Sequence, residues 1–401
     1  MIPLKTTLES NCLTLHLEGR IDSNNAAEVE GEILAAVGAN PGADIIIDAE
    51  NLEYISSAGL RVLMKLRKLA KKALPVINVS PEVYDIFDVT GFTELMDVKK
   101  RLREISVEGC ELIGSGGYGR VYRIDPETIA KIYSPTIGLA FVERERATSQ
   151  RAFLMGVPTA ISYDVVKCGD SYGVVYELLN AQTTAQIIAA DPGRIPEISS
   201  RSARLLKELH QIVPGPDSGL PDRKEKLLAW FDSLADYLTE SELEKARGFI
   251  RAIPDRDTFL HGDFNAKNIM VRGDEFQLID IGDAAVGHPV FDIAGLMLAY
   301  IILPNSRGGA RSDEDLKRLL GFDLEYAQKV WGVMCATYFN LSDPREIGEV
   351  TRKLMPYCLL LMAFQAVSIS GDDREAIKVR VDRVVRERFL PAIDTAEPLD
   401  F

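Results

Sequence analysis

Between residues 261 and 283 the chain reads HGDFNAKNIM and then, after a short interval, LIDIGD. No other stretch constrains the fold as tightly. Short apolar runs lead into both motifs, and the run before Asp280 places that carboxylate at the end of a buried strand. Asp263 and Asn268 lie five positions apart, and Asp280 follows Asn268 by twelve. The spacing has a chemical reason. Moving a phosphoryl group onto a hydroxyl needs an aspartate to accept the hydroxyl proton. It also needs an amide oxygen and a second carboxylate within reach of a divalent cation that bridges the phosphates. Asp263 is therefore the candidate base, and Asn268 and Asp280 are the candidate Mg²⁺ ligands. Gly282 completes an I-D-x-G arrangement, and Asp283 is a further acid for metal or substrate.

A second motif lies upstream. Gly114, Gly116 and Gly119 form G-x-G-x-x-G, followed by Val121. A dinucleotide-binding loop would open a helix. A β-rich segment follows here instead, which predicts a loop folded over phosphates, where a backbone without Cβ can approach closely. Taken alone the motif also reads as an ordinary glycine-rich hairpin. Lys131 sits in IAKIY, a predicted strand, with its ammonium directed into a cleft to hold the α- and β-phosphates of ATP. Such a lysine needs a carboxylate partner. Glu145, in a helix predicted over 140–154, is the choice, with Glu143 as the alternative; a solvated face is the competing reading of FVERER. His261 reads as structural. His288 and Asp292, in GHPVFDIAG, read as anchors for the start of a helix, Asp292 being a buried hydrogen-bonding residue.

Composition narrows the partners. The chain has 401 residues, 46% of them hydrophobic and 26% charged, enough for two or three ordinary globular domains. A net charge of -14 argues against nucleic acid or an anionic membrane as partner, and is weakly compatible with a cationic substrate. The five cysteines form no CxxC pair, and no targeting segment is read at the start, so a reducing, cytoplasmic setting is expected. The apolar runs Val290–Leu303 and Tyr357–Val367 read as buried helices; the first contains Asp292, and the second falls short of the roughly 18 residues that span a bilayer.

The pattern changes near residue 105. Before it, strands at Leu13–Leu17, Ala43–Ile47 and Pro75–Val79 alternate with helices, one over 58–72 with Leu60, Leu63, Leu66 and Leu69 on one side and one opened by Pro81. This order predicts an α/β domain over 1–104. The remainder, 105–401, reads as a β-rich N-lobe over about 105–179 and a helical C-lobe over about 180–401, with a buried strand at Tyr172–Leu179.

The ordered set of glycine loop, lysine, glutamate, HGD, asparagine and strand-end aspartate resembles the aminoglycoside phosphotransferase, choline kinase and fructosamine kinase superfamily, over about residues 108–390. GVP at Gly156–Pro158 and ELH at Glu208–His210 add to the likeness. The resemblance implies a two-lobed, protein-kinase-like fold, ATP and Mg²⁺ as cofactors, and adenine held by backbone groups near Glu177–Leu179. It implies Asp263 as base, Asn268 and Asp280 on Mg²⁺, and Lys131 on the phosphates. The expected acceptor is a small-molecule hydroxyl or amine.

In the first domain, GRIDSNNAAEVEGEI and LEYISSAGLRVLMKL resemble the STAS domain of bacterial anti-sigma-factor antagonists, over about residues 1–104. In that family a D-S-[ST]-G-L motif carries a regulatory phosphoserine. Ser57 takes its place here, with Ser56 where the family has Asp. Two readings of Ser57 stand: a phosphorylation site at a helix N-terminus, or a plain helix cap. Arg61, Lys65, Lys68 and Lys72 recur at helical spacing, as a solvated face or as a dock for an acidic partner. The alternative function that follows is a protein-directed kinase or switch that phosphorylates Ser57 or a partner protein.

Overall fold

The computed structural model describes residues 4–9, 11–70, 74–305, 312–368, 373–399 and 401. It divides into two compact units, Met1–Ile105 and Ser106–Phe401. The two are described separately.

The first unit is built on a five-stranded sheet whose members run in chain order: Lys5–Glu9, Cys12–Ile21, Asp44–Ile55, Pro75–Val79 and Asp97–Lys100. The first pair is antiparallel and the rest are parallel. Strict alternation in Cys12–Ile21 sends Leu13, Leu15 and Leu17 into the core, beside Ile47 and Val76. Leu60, Leu63 and Leu66 of helix Ser57–Leu69 join them. Leu69 does not: it is 57% exposed, because three successive steps of three residues turn it off the face that Leu60 presents. Gly59 allows that helix to sit close. A Cβ at this position would lie 2.7 Å from the Ile55 side chain and 2.8 Å from that of Ile21. The strands are longer than their apolar centres predict, and the edge strand Lys5–Glu9, largely exposed, carries no apolar signal at all.

In the second unit, five antiparallel strands stand in the order Ser162–Cys168, Ser171–Glu177, Thr128–Tyr133, Gly119–Arg123, Glu111–Ser115. Helix Leu139–Leu154 packs beside them. The polypeptide then becomes mainly helical. Helices Ile195–Leu209, Val290–Met297, Leu324–Phe339 and Pro344–Ser368 supply one continuous apolar core. The run Tyr357–Val367 lies in the last of these, and Val290–Leu303 begins in Val290–Met297 and continues through the π-helical turn Leu298–Ile302; no helix among the described residues is long and apolar enough to cross a membrane. Two small sheets interrupt the helices, one pairing Thr258–Leu260 with Ala285–Gly287 and one of three strands, Gln182–Thr183, Ile269–Arg272 and Glu275–Leu278. Thr258–Leu260 leads into HGD, and the hairpin Ile269–Arg272 with Glu275–Leu278 joins HGD to IGD.

Candidate active site

The site begins with a glycine hairpin. Gly114 pairs with Val121, and Val121 pairs in turn with Lys131 on the next strand. The hairpin closes with Gly116 N donating to Gly119 O at 2.9 Å. Gly119 is the position where close approach is required, since a Cβ there would lie 2.2 Å from the Ile132 carbonyl oxygen. At the tip, Tyr118 is exposed, its ring 5.8 Å from that of Phe141. Desolvation, then the charges of Asp283, Asp280, Glu145 and Asp263, push its phenol above the ordinary range.

Lys131 projects from the strand flanked by Gly119–Arg123 and Ser171–Glu177. Its Nζ donates to Glu145 Oε1 and to Asp280 Oδ1, each at 2.6 Å. Burial opposes the ammonium, but Asp280 and Glu145 outweigh it and hold the lysine above its usual range. Glu145 is buried while Glu143 is exposed, so the helix presents the former to the lysine. Gly282 makes the approach possible: a Cβ there would lie 2.5 Å from Glu145 Cγ.

Asp280 adopts a left-handed backbone, φ 62° and ψ 51°, which a residue with a Cβ seldom takes. It follows strand Glu275–Leu278, which is tied down by Leu278 N on Pro158 O at 2.6 Å and Ile279 N on Asn268 O at 3.0 Å. Such over-determined strain clusters at functional sites.

Asp263 is held by two amides. Asn268 Nδ2 donates to Oδ2 at 2.9 Å, and Asn265 Nδ2 to Oδ1 at 3.1 Å. Asn268 thus spends its amino group on Asp263, and its carbonyl is a hard oxygen that could ligate a cation. The Asp263 carboxylate opens to the cleft yet is hemmed in by protein. Desolvation first, then the charges of Asp280 and Asp283 against an opposing His261, raise it above the usual aspartate range. The loop is braced below by Ala266, whose N–H donates to Tyr300 Oη at 2.8 Å and whose carbonyl accepts from Thr184 Oγ1 at 2.8 Å.

Behind HGD lies Asp292. It is fully enclosed and accepts from His261 N and Gly262 N, each at 2.8 Å, and meets His210 Nε2 at 3.3 Å. Burial works against its charge, but these donors hold it below the ordinary range. Asp292 is therefore a buried hydrogen-bonding residue, as its setting implied, but it anchors the catalytic turn and not the start of its own helix. His288 does the latter, its Nδ1 accepting from Val290 N at 3.0 Å. His261 is buried, with Nδ1 accepting from Asp263 N at 3.2 Å, a structural placement. Gly262 has φ +85°, and a Cβ there would strike the Asp283 carbonyl oxygen at 2.2 Å, so HGD and IGD abut.

At the end of strand Ser171–Glu177, the amide of Glu177 donates to Ile161 O at 3.0 Å and that of Leu178 to Glu127 O at 2.7 Å. Leu178 and Leu179 have already left the strand, earlier than their apolar character predicts.

The site has members that no motif announces. Arg223 and Lys226 come from helix Arg223–Asp232. Arg223 Nη2 donates to Asp283 O at 3.3 Å, and Lys226 Nζ lies 3.9 Å from Asp283 Oδ1.

In the first unit, Ser56 is the helix cap, its Oγ accepting from Gly59 N at 3.4 Å. Ser57 is the first helical residue and is exposed. The cap reading therefore belongs to Ser56. Arg61, Lys65 and Lys68 are exposed, Lys65 pairing with Glu30 at 2.7 Å; Lys72 lies outside the described residues.

A β-rich lobe that offers a glycine hairpin and a paired lysine, above a helical lobe that offers HGD, asparagine and a strand-end aspartate, defines a two-lobed phosphotransferase. The chain belongs to the phosphotransferase enzyme family, whose sequence model matches residues 109–328, and the STAS domain model matches residues 4–105. It is thus a phosphotransferase fused to a STAS module. The STAS portion is similar to a protein of Bordetella bronchiseptica named as an anti-sigma factor antagonist, BtrV, with 33% identity over 85 residues, 20% of this chain and 72% of that one. It is also similar to the anti-sigma-B factor antagonist of Staphylococcus aureus, with 27% identity over 100 residues, 24% of this chain and 92% of the relative. Among solved structures, a choline/ethanolamine kinase family protein from Mesorhizobium loti is 16% identical, covering 72% of this chain and 92% of that chain at a TM-score of 0.44. The gentamicin complex of the aminoglycoside phosphotransferase APH(2")-IIa is 17% identical, covering 79% and 99% at a TM-score of 0.44.

Proposed function

We propose that this protein transfers the γ-phosphoryl group of ATP to a hydroxyl or amine of a small-molecule acceptor, with the STAS domain as a regulatory or docking module. The observation that carries the reading is Lys131, held at 2.6 Å by Glu145 from one lobe and by Asp280 from the other. A lysine clamped in this way is placed to meet α- and β-phosphates lying under the glycine hairpin. The Leu179 amide, just beyond the strand, is available to adenine.

Asp263 accepts the acceptor's proton as its oxygen attacks phosphorus, and Asn268 keeps that carboxylate aimed. The donor set suits Mg²⁺. Asn268 Oδ1 and the Asp280 carboxylate are hard oxygen ligands, and Mg²⁺ takes one or two carboxylates alongside phosphate oxygens. Held by these two residues, Mg²⁺ would supply charge neutralisation for the triphosphate. The test is ADP release from Mg-ATP over a panel of hydroxyl and amine acceptors, in the native protein and in Asp263→Asn. Acceptor-dependent release that disappears in the variant supports the reading; release that is equal in both sinks it.

A second reading rests on Ser57. With Ser56 as the cap, the exposed Ser57 hydroxyl is free to take a phosphate in the first turn of a helix, where backbone N–H groups and the dipole favour an anion. Intact mass after incubation with Mg-ATP, in the native protein and in Ser57→Ala, decides it. An added phosphate that survives the substitution excludes Ser57 as its site.

A further inference from the structure

Beside the catalytic aspartate the cleft wall is cationic, and its charges are poorly matched. Arg223 is 6% exposed, so its guanidinium is a buried charge. Among the described residues its one hydrogen bond is to a backbone oxygen, that of Asp283, and its Nε has no partner. Nη2 would lie 2.7 Å from a Cβ on Gly262, which puts this charge directly behind HGD. One turn along the same helix, Lys226 stands 3.9 Å from Asp283 Oδ1, too far for a hydrogen bond, with its Nζ 5.8 Å above the Phe364 ring. Arg144, adjacent to Glu145, is exposed and within electrostatic reach of Lys226. Among the described residues neither Arg144 nor Arg223 has a carboxylate partner.

These cations are not there merely to balance the acidic trio. Lys131 already pairs with Asp280. Burial, followed by repulsion from Arg223, depresses the Lys226 ammonium below the lysine range despite Asp283, with Arg144 adding to the repulsion. Asp283 therefore undercompensates its neighbours. A buried, unmatched cation carries a desolvation penalty, and an anion brought to this wall relieves it.

We propose that the acceptor is an anionic alcohol: a small molecule whose hydroxyl is accompanied by a carboxylate or phosphate, bound by Lys226 and Arg144, with Arg223 attracting it from behind the HGD turn. The inference rests on the phosphotransferase reading and specifies its substrate class. The acceptor oxygen bonds to the γ-phosphorus, the bond from that phosphorus to the β-phosphate bridging oxygen breaks, ADP leaves with the electron pair, and the hydroxyl proton passes to Asp263. The anionic group takes no part in the chemistry. It fixes the register of the hydroxyl against Asp263.

The test has two arms, both on the full chain. In the first, ADP release is measured with glycerate and glycerol 3-phosphate, and with choline and kanamycin as cationic acceptors. In the second, binding of glycerol 3-phosphate to the protein loaded with Mg²⁺ and a non-hydrolysable ATP analogue is measured by calorimetry, in the native protein, Lys226→Gln and Arg144→Gln. The expected result is turnover of the anionic acceptors, with KM for them raised about tenfold or more in Lys226→Gln, the loss of one charged hydrogen bond, while KM for ATP is unchanged. Preference for a cationic acceptor overturns the proposal. So does an anionic acceptor indifferent to both substitutions, or the absence of glycerol 3-phosphate binding. Binding that depends on Lys226 without transfer of any phosphate retains the anion site and sinks the phosphotransferase reading instead.

Discussion

Two turns in this molecule carry a strand into a helix, and they solve the problem in opposite ways. In the first unit, Ile55 passes into helix Ser57–Leu69 through Ser56, which lies in the extended region and caps the helix with its own hydroxyl. In the second, Leu278 passes into the short turn Ile281–Asp283 through Asp280, which takes a left-handed backbone and makes no cap bond. Its carboxylate instead reaches across to Lys131. The first turn is satisfied locally, so its next hydroxyl, Ser57, is left exposed. The second is held from outside, by Pro158, Asn268, Glu145 and Lys131, and that external support is what lets a carboxylate stand where the chemistry needs it. In both turns a glycine admits a neighbour: Gly59 admits side chains of the sheet, Gly282 admits a catalytic partner.

The contrast can be tested from its largest consequence down. Asp263→Asn should lower phosphotransfer by about 10²–10⁴-fold, the usual worth of a positioned base, with thermal unfolding unmoved; a loss under tenfold would deny Asp263 that role. Gly282→Ala should displace Glu145, loosen Lys131 and lower kcat/KM by roughly tenfold or more. Wild-type kinetics in that variant would show that the lysine needs no such clamp. Gly59→Ala meets the Ile55 and Ile21 side chains and, at 3.2 Å, the Ile21 carbonyl oxygen, so it should destabilise the first unit by about 1–3 kcal/mol in chemical denaturation and leave phosphotransfer intact.

Next in size is an acid effect in the second unit. Burial lowers His288 to about 4 from an ordinary 6.5. A depressed histidine is neutral in the fold, while the unfolded chain takes up a proton below about 6.5. The stabilisation is present above that pH and is lost as pH falls toward about 4, an effect on the order of 2 kcal/mol. Urea midpoints measured across that window should fall for the native protein and stay flatter for His288→Asn. Smallest is the pair of serines. Ser56→Ala should cost about 1 kcal/mol as a lost cap, and Ser57→Ala less than about 0.5 kcal/mol, as befits an exposed position. Equal costs would erase the distinction between them.

Much of this site was legible because phosphoryl transfer dictates side-chain identity at fixed spacing. Lys131, Asp263, Asn268 and Asp280 could be named from the sequence because few residue types perform those tasks. What escaped notice acts at long range or through backbone. Arg223 and Lys226 reach Asp283 from about sixty residues away, on a helix that has no motif. The sequence implies that Asp292 is buried and hydrogen-bonded but not that it braces HGD, because the main-chain amides it holds there leave no mark on side-chain identity. Edge strand Lys5–Glu9 was missed because an exposed edge needs no apolar alternation, and Leu69 was misplaced because repeated steps of three residues drift around the helix.

Asp292 has one more consequence, and it concerns time. The carboxylate that fixes the amides of His261 and Gly262 is thirty-one and thirty residues further along the chain. During synthesis the base is made well before its brace, and the brace works only once its helix has packed. The HGD turn therefore cannot acquire its shape until residue 292 has been made and its helix has packed, so a chain that stops between the two holds the motif without its brace.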